Sequence, residues 1–207
     1  MLKLYFAPGT IARASHIALA ESGADYEAIR LDFSVDQQRS ADYLAINPKG
    51  RVPALVTERG VLSETPAILT YIALRFPQAR LAPVDDVFAL SALQSFMAYL
   101  ASTMHVATAH FRRGSRWATQ ETSFEDMRAK VPENTRACCR LVEDEYFKGG
   151  SWVMGADYSL ADPYLYTISG WLHRFGIALE EFPKIAAHAA AMEQRPAVQR
   201  VLNEESR

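Results

Sequence analysis

The sequence is poor in cysteine: among 207 residues only Cys138 and Cys139 carry thiols, and they are neighbours. Adjacent thiols cannot staple distant parts of a chain, so the fold must rest on a hydrophobic core, and a reducing, cytoplasmic setting is the expectation. Net charge is scarce as well, at −2 overall, and the two parts of the chain are balanced alike: residues 1–80 hold 9 basic and 8 acidic side chains, residues 81–207 hold 13 and 16. That balance excludes the basic footprint of a nucleic-acid binder. No uninterrupted apolar run approaches the roughly 18–20 residues that cross a bilayer, so no membrane association is expected. The opening MLKLYFAPG has too short an apolar stretch, and no small-residue cleavage pattern, for a secretory signal. Glycine and proline number only 10 each, which excludes collagen-like and low-complexity chains. With 49% hydrophobic and 22% charged residues, the remaining class is a globular protein with a core large enough to need no metal or disulfide.

Strand and helix signals alternate over the first eighty residues. Leu2–Phe6 is a short apolar run stopped by Pro8-Gly9, a strand followed by a turn. Ala12–Glu21 presents Ile17, Ala18 and Ala20 on one face and is closed by Ser22-Gly23, a helix with its left-handed stop. Tyr26–Phe33 alternates as a second strand, and Ala41–Ile46 forms one or two helical turns before Asn47-Pro48. Pro53–Thr57 and Val61-Leu62 flank Glu58-Arg59-Gly60, a hairpin. Thr65-Pro66 places a hydroxyl at the N-cap and proline at the first helical position of a helix reaching Arg75. The order β-α-β, connector, β-β-α predicts a four-stranded mixed sheet of thioredoxin-like type.

From Pro77 to Asp86 the periodicity lapses, and beyond it only helical signals occur. Val87–Arg113 reads as one long helix, with Asp85 and Asp86 at its positive end and Arg112 and Arg113 at its negative end. Ser123–Phe147 reads as another, kinked or broken at Pro132. Ser159-Leu160-Ala161-Asp162 has the form of a capping box before a helix expected to reach Phe175. Pro183 and Pro196 each suit a helix start. The expected organisation is an N-terminal α/β unit over residues 1–78, a linker over 79–86, and an all-helical domain over 87–207.

An α/β unit, a linker and an all-helical second half, together with four local motifs, resemble the cytosolic glutathione transferases, and most nearly their bacterial beta class. The motifs are Tyr5-Phe6-Ala7-Pro8-Gly9 followed by Ala14-Ser15-His16; Asn47-Pro48-Lys49-Gly50-Arg51-Val52-Pro53-Ala54-Leu55; Ser63-Glu64-Thr65-Pro66-Ala67-Ile68; and the capping box at Ser159. The resemblance implies a cis Val52-Pro53 bond, next to which Arg51, Val52 and Pro53 meet glutathione, the Val52 backbone pairing with the cysteinyl unit. It also implies that Glu64 and Thr65, at a helix start, hold the γ-glutamyl end: the carboxylate on free amides and hydroxyl, the ammonium on Glu64. The capping box is a folding element in the family, and no chemistry is expected of it.

The sequence departs from the family where the sulfur should be served. The beta-class cysteine position is Ile11, which lines the site but has no proton to offer. Lowering an ordinary thiol pKa of about 8.5 towards 7 takes about 2–3 kcal/mol. The expected sources are the Thr10 hydroxyl with the amides opening the first helix, Tyr5 being remoter. His105 lies in the segment where the beta class carries a histidine facing the sulfur, and is the other catalytic candidate. Ser102 and Thr103 fall where the family's second subunit reaches over to glutathione, which implies a homodimer. Ala98 replaces an amide residue there, and only Arg39 answers to the loop lysine of the beta class.

Cys138 and Cys139 read as small buried apolar residues. His105 and His110 are five apart, off the spacing of helix-borne ligands, and no metal is expected. Phe111-Arg112-Arg113-Gly114-Ser115-Arg116-Trp117 reads first as a cationic helix end, with anion or nucleic-acid contact as the alternative. Tyr99, Phe111, Tyr164 and Trp171 are candidates to line a second-substrate pocket, with core packing expected of at least two of them. The expected activity is transfer of the glutathione thiolate to a small apolar electrophile, a detoxification chemistry. A glutathione-dependent peroxidase or lyase, and a non-catalytic glutathione-binding or interaction protein, are the alternatives. A thioredoxin-type oxidoreductase is excluded, because the turn at Pro8–Ala12 contains no cysteine.

Overall fold

The computed structural model describes residues 1–206. β1 (Leu2–Phe6) alternates burial, with Leu2, Leu4 and Phe6 turned into the core. It pairs parallel with β2 (Tyr26–Arg30) and antiparallel with β3 (Ala54–Thr57), which pairs antiparallel with β4 (Gly60–Ser63). The sheet order is therefore β2-β1-β3-β4, the mixed four-stranded sheet expected. β2 stops three residues earlier than the alternation suggested, because Asp32 caps a short 3-10 turn at Phe33–Val35 through the Ser34 N–H.

Three helices accompany the sheet: α1 (Ala12–Ser22), α2 (Ala41–Ile46) and α3 (Thr65–Arg75). α1 is buried along most of its length because the sheet, α3 and the second half of the chain all pack on it. Gly23 ends it at φ +70°, a conformation that costs glycine nothing. Ser40 caps α2 by accepting from the Tyr43 N–H at 3.2 Å.

The second half holds α4 (Val87–Tyr99), α5 (His105–Arg113), α6 (Glu121–Glu145), α7 (Ala161–Ser169), α8 (Pro183–Glu193) and α9 (Pro196–Ser206). Four sequence expectations change here. The helix expected over Val87–Arg113 is interrupted by a π-helical turn at Leu100–Met104, which rotates α5 relative to α4. The stretch Val87–Arg116 is long and apolar enough, by length and composition, to cross a membrane, contrary to the reading from uninterrupted runs; serines, threonines and a glutamine break the run without lowering its average much. α6 runs unbroken through Pro132. α7 ends at Ser169, and a separate 3-10 turn covers Leu172–Phe175 before Gly176.

The capping box closes as expected: Asp162 accepts from the Ser159 N–H at 2.6 Å, while Ser159 Oγ accepts from the Ala161 N–H at 3.3 Å. The same carboxylate accepts from the Val153 N–H and faces His188 Nε2 at 3.1 Å, so it ties loop, α7 and α8 together in the core. Cys138 and Cys139 are buried, and burial pushes the Cys139 thiol up to about 12. Among the described residues no cluster of histidine, cysteine and carboxylate side chains could hold a metal.

Candidate active site

A cleft between the sheet unit and the helices α5 and α7 has two joined lobes. The inner, about 520 Å³, lies against Lys49, Val52, Pro53, Glu64, Thr65 and Tyr164; the outer, about 600 Å³, lies against Thr10, Phe33, Phe111, Trp171, Phe175 and several arginines. Ile11, Arg51, Val52, His105, Ala109 and Arg116 border both and form the neck.

The turn after β1 supplies the base of the neck. Gly9 adopts φ +67°, and three contacts from the second half hold it. Its N–H donates to Glu205 Oε2 at 3.1 Å, and its carbonyl accepts from Trp171 Nε1 at 3.1 Å and Arg174 Nη2 at 3.4 Å. Arg13 on α1 donates to the same Glu205 oxygen, Nε at 3.0 Å. The Thr10 hydroxyl donates to the Ala7 carbonyl at 2.7 Å and faces the Ala12 N–H at 3.4 Å. Among the described residues the Ile11 N–H makes no hydrogen bond, so it is the open donor at the start of α1. Tyr5 packs on Tyr43 at 5.5 Å and borders neither lobe.

The loop before β3 supplies the wall of the inner lobe. Tyr43 Oη and Asn47 Nδ2 both donate to the Arg51 carbonyl, at 2.6 and 2.7 Å, and pin the segment. Gly50 is required at φ +58°, where a Cβ would stand 2.9 Å from Arg39 Nη1. The Val52-Pro53 bond is cis. Glu64 then takes φ +71°, a left-handed conformation for a residue with a side chain, and such positions cost about 1–3 kcal/mol and gather at functional sites. Thr65 is buried behind it as the first residue of α3, so Glu64 and not Thr65 stands at the N-cap, no side chain caps the helix, and Pro66 takes its second position. Lys49 Nζ donates to Glu64 Oε1 at 2.6 Å and to Ser63 Oγ at 3.0 Å, a partner for Glu64 that its motif had not suggested.

His105 faces the neck of its own chain, with its ring tilted on Trp171 at 5.1 Å. Burial pushes its pKa down to about 4, with the Arg116 and Arg51 cations adding to the shift, so it is neutral at pH 7. Ser102 and Thr103 are exposed and border neither lobe of this chain; the Ser102 hydroxyl donates to the Ala98 carbonyl at 2.8 Å. The π-turn turns these two away while aiming His105 inward. Of the aromatic candidates, Phe111, Trp171 and Tyr164 border the cleft, and Tyr99 packs on the core instead. Lys49, Arg174 and Glu205 are the site residues that motif reasoning did not single out. Only Lys49 carried a signal, by lying inside a recognised motif.

The family model for the glutathione S-transferase N-terminal domain matches residues 1–74, and that for the C-terminal domain matches residues 104–196. A glutathione S-transferase of Escherichia coli, GstA, is 32% identical over 207 residues, covering 99% of this chain and 98% of the relative. A glutathione transferase homologue from Sulfitobacter, solved with bound glutathione, is 49% identical with a TM-score of 0.95, covering 99% of this chain and 98% of that one. A sphingomonad glutathione S-transferase complexed with glutathione is 35% identical with a TM-score of 0.87, at 99% and 98% coverage. Two domain models in the expected order, and full-length likeness in sequence and structure, leave one conclusion: the chain belongs to the glutathione S-transferase family.

Proposed function

We propose that the chain binds glutathione in the inner lobe and transfers its thiolate to a small electrophile, with an apolar body, in the outer lobe. In this reading residues 1–78 hold glutathione and residues 87–207 shape the acceptor pocket. The observation that carries it is that Ile11, the cis Val52-Pro53 pair, Glu64 and Thr65 line one lobe together. Val52 pairs its backbone with the cysteinyl unit, beside Arg51 and Pro53. The γ-glutamyl carboxylate sits on Thr65 and the amides of α3, and the ammonium shares Glu64 with Lys49. The thiolate accepts from the Ile11 N–H and draws the Thr10 hydroxyl away from Ala7, since a charged acceptor outbids a carbonyl. Neutral His105 donates or relays a proton across the neck.

Calorimetric titration tests the first step: binding in the micromolar to millimolar range is expected, and no heat at millimolar glutathione would overturn it. The alkyl side chain of Ile11, where the family keeps a reactive group, favours a second reading, a non-catalytic glutathione-binding protein. Aryl halides, isothiocyanates and peroxides separate the two, and peroxide turnover alone would point to peroxidase chemistry.

A homodimer completes the proposal. Leu74 on α3 and Val87 and Phe88 on α4 are exposed by 57%, 80% and 85%, and only 28% of the apolar window within Val87–Arg116 is buried in the single chain. A second copy covering this face would bring Ser102 and Thr103 towards the neighbouring glutathione. Sedimentation should give about twice 23.1 kDa; a 23.1 kDa particle at micromolar concentration would refute it. A cytoplasmic detoxification role fits the reduced, buried thiols.

A further inference from the structure

The outer lobe carries a charge that its expected contents do not use. Six arginines border it, namely Arg39, Arg51, Arg112, Arg113, Arg116 and Arg174, against the single carboxylate of Asp36. None of the six is in an ion pair among the described residues; elsewhere Arg13, Arg128, Arg136, Arg195 and Arg200 pair with glutamates, while other unpaired arginines are scattered and do not share one lobe. The whole chain has a net charge of −2, so this concentration of positive charge is local. The guanidinium groups are close enough to disturb one another: burial and the cations of Arg51, Arg113 and Arg39 hold Arg116 below its usual range, and burial with Arg112 and Arg13 does so for Arg174. Like charges gathered without counter-ions weaken a fold, and their use lies in an anion that arrives later.

Glutathione does not exhaust them. It has two carboxylates, and even if arginines took both, four guanidinium groups would be left over. The lobe's other surface is aromatic. Phe111 meets Phe175 edge to face at 5.2 Å, Trp171 stands beside His105, and Arg174 lies over the Trp171 ring at 5.9 Å. A flat unsaturated body fits between those rings and the neck, and about 600 Å³ is ample for a small molecule. Arg112, Arg113 and Arg174 border only the outer lobe, away from the inner one, so an oxyanion directed at them leaves the reactive carbon at the neck.

We propose that the acceptor substrate is an anionic electrophile: an aromatic or conjugated molecule with a carboxylate held by Arg112, Arg113 and Arg174 while its reactive carbon meets the sulfur beside Ile11. This rests on the transferase reading above and names its substrate class. The arginines offset the repulsion between an anionic acceptor and the thiolate, and raise the encounter rate by steering. With an aryl chloride the step balances simply. The thiolate pair forms the C–S bond, the ring and its withdrawing groups hold the displaced pair, and the C–Cl bond breaks with loss of chloride.

The test uses a chlorodinitrobenzoate, with its carboxylate para to the chlorine, and the methyl ester of the same compound. After correction for the uncatalysed rates, the carboxylate should be favoured in kcat/KM by about tenfold or more, a preference that shrinks as salt screens the arginines. Arg112→Gln and Arg174→Gln should each lower the carboxylate-to-ester ratio by about threefold to tenfold. An ester preferred to the acid, or a ratio unmoved by both substitutions, would overturn the proposal. Binding of the preformed glutathione conjugates is measured as well, because it needs no turnover. If neither probe reacts and the wider panel is inert as well, the transferase reading fails; the anionic site still stands if the carboxylate conjugate binds more tightly than its ester, and falls if the two bind alike.

Discussion

Glu205 reaches from α9 to the turn that bears the proposed sulfur site, and removing its carboxylate should loosen both fold and function. Its side chain is 4% exposed, that of Arg13 is 20% exposed, and their ion pair closes at 2.5 Å. The same oxygen takes the Gly9 N–H. Deleting one partner of a buried pair costs about 3–5 kcal/mol. Arg13 can partly rehydrate once freed, so about 3 kcal/mol is expected for Glu205→Ala. In a chain of this size that lowers Tm by about 6–12 °C. Trp171 and Arg174 still hold the Gly9 carbonyl, so glutathione affinity should weaken by less than about tenfold rather than vanish. The assay is urea unfolding of Glu205→Ala, Arg13→Ala and the double variant, with glutathione titrated into each. A loss below about 1 kcal/mol, or strictly additive effects of the two substitutions, would show that the clamp does not hold the turn.

Three further outcomes follow from the same geometry. The unfolded chain protonates His105 near its ordinary 6.5, but the folded chain resists until about 4, so stability present above pH 6.5 is lost as pH falls through that window. The loss should approach about 3 kcal/mol, and His105→Phe should abolish that component in pH-resolved urea unfolding; an identical pH profile would refute the burial argument. Thr10→Val should raise the pKa of the bound thiol by about one unit, read by thiolate absorbance against pH. No change there would shift the role to the Ile11 N–H and His105. Cys138 and Cys139 should resist an aromatic disulfide reagent in the native protein and react on unfolding, because both are buried and the Cys139 thiolate is strongly disfavoured. Rapid native labelling would contradict the packing.

Local chemistry wrote much of this molecule in plain sequence. α2 ends where Asn47-Pro48 punctuates the chain, and α3 begins one residue before the start that Thr65-Pro66 suggested and stops before Pro77, because caps and prolines act within a few residues. The mixed four-stranded sheet followed from β-α-β and a hairpin, whose handedness leaves few arrangements. Val52, Glu64 and Thr65, which the resemblance pointed to, line one lobe together, and as a strand end and a helix start they present backbone groups there. The tertiary structure alone decided what faces those groups. A π-turn shifts the helical phase after Tyr99 and aims His105, not Ser102, at the neck, a rotation that an averaged periodicity cannot register. Glu205 meets Gly9 across 196 residues of chain, and nothing near either in sequence marks the encounter; the run at Arg112 and Arg113 read first as a helix end, and only folding brings Arg174 and Arg39 to the same lobe. Charge counted along the chain came out even; only folding gathered six arginines at one opening, because electrostatic fields add over distance in space and not over position in sequence.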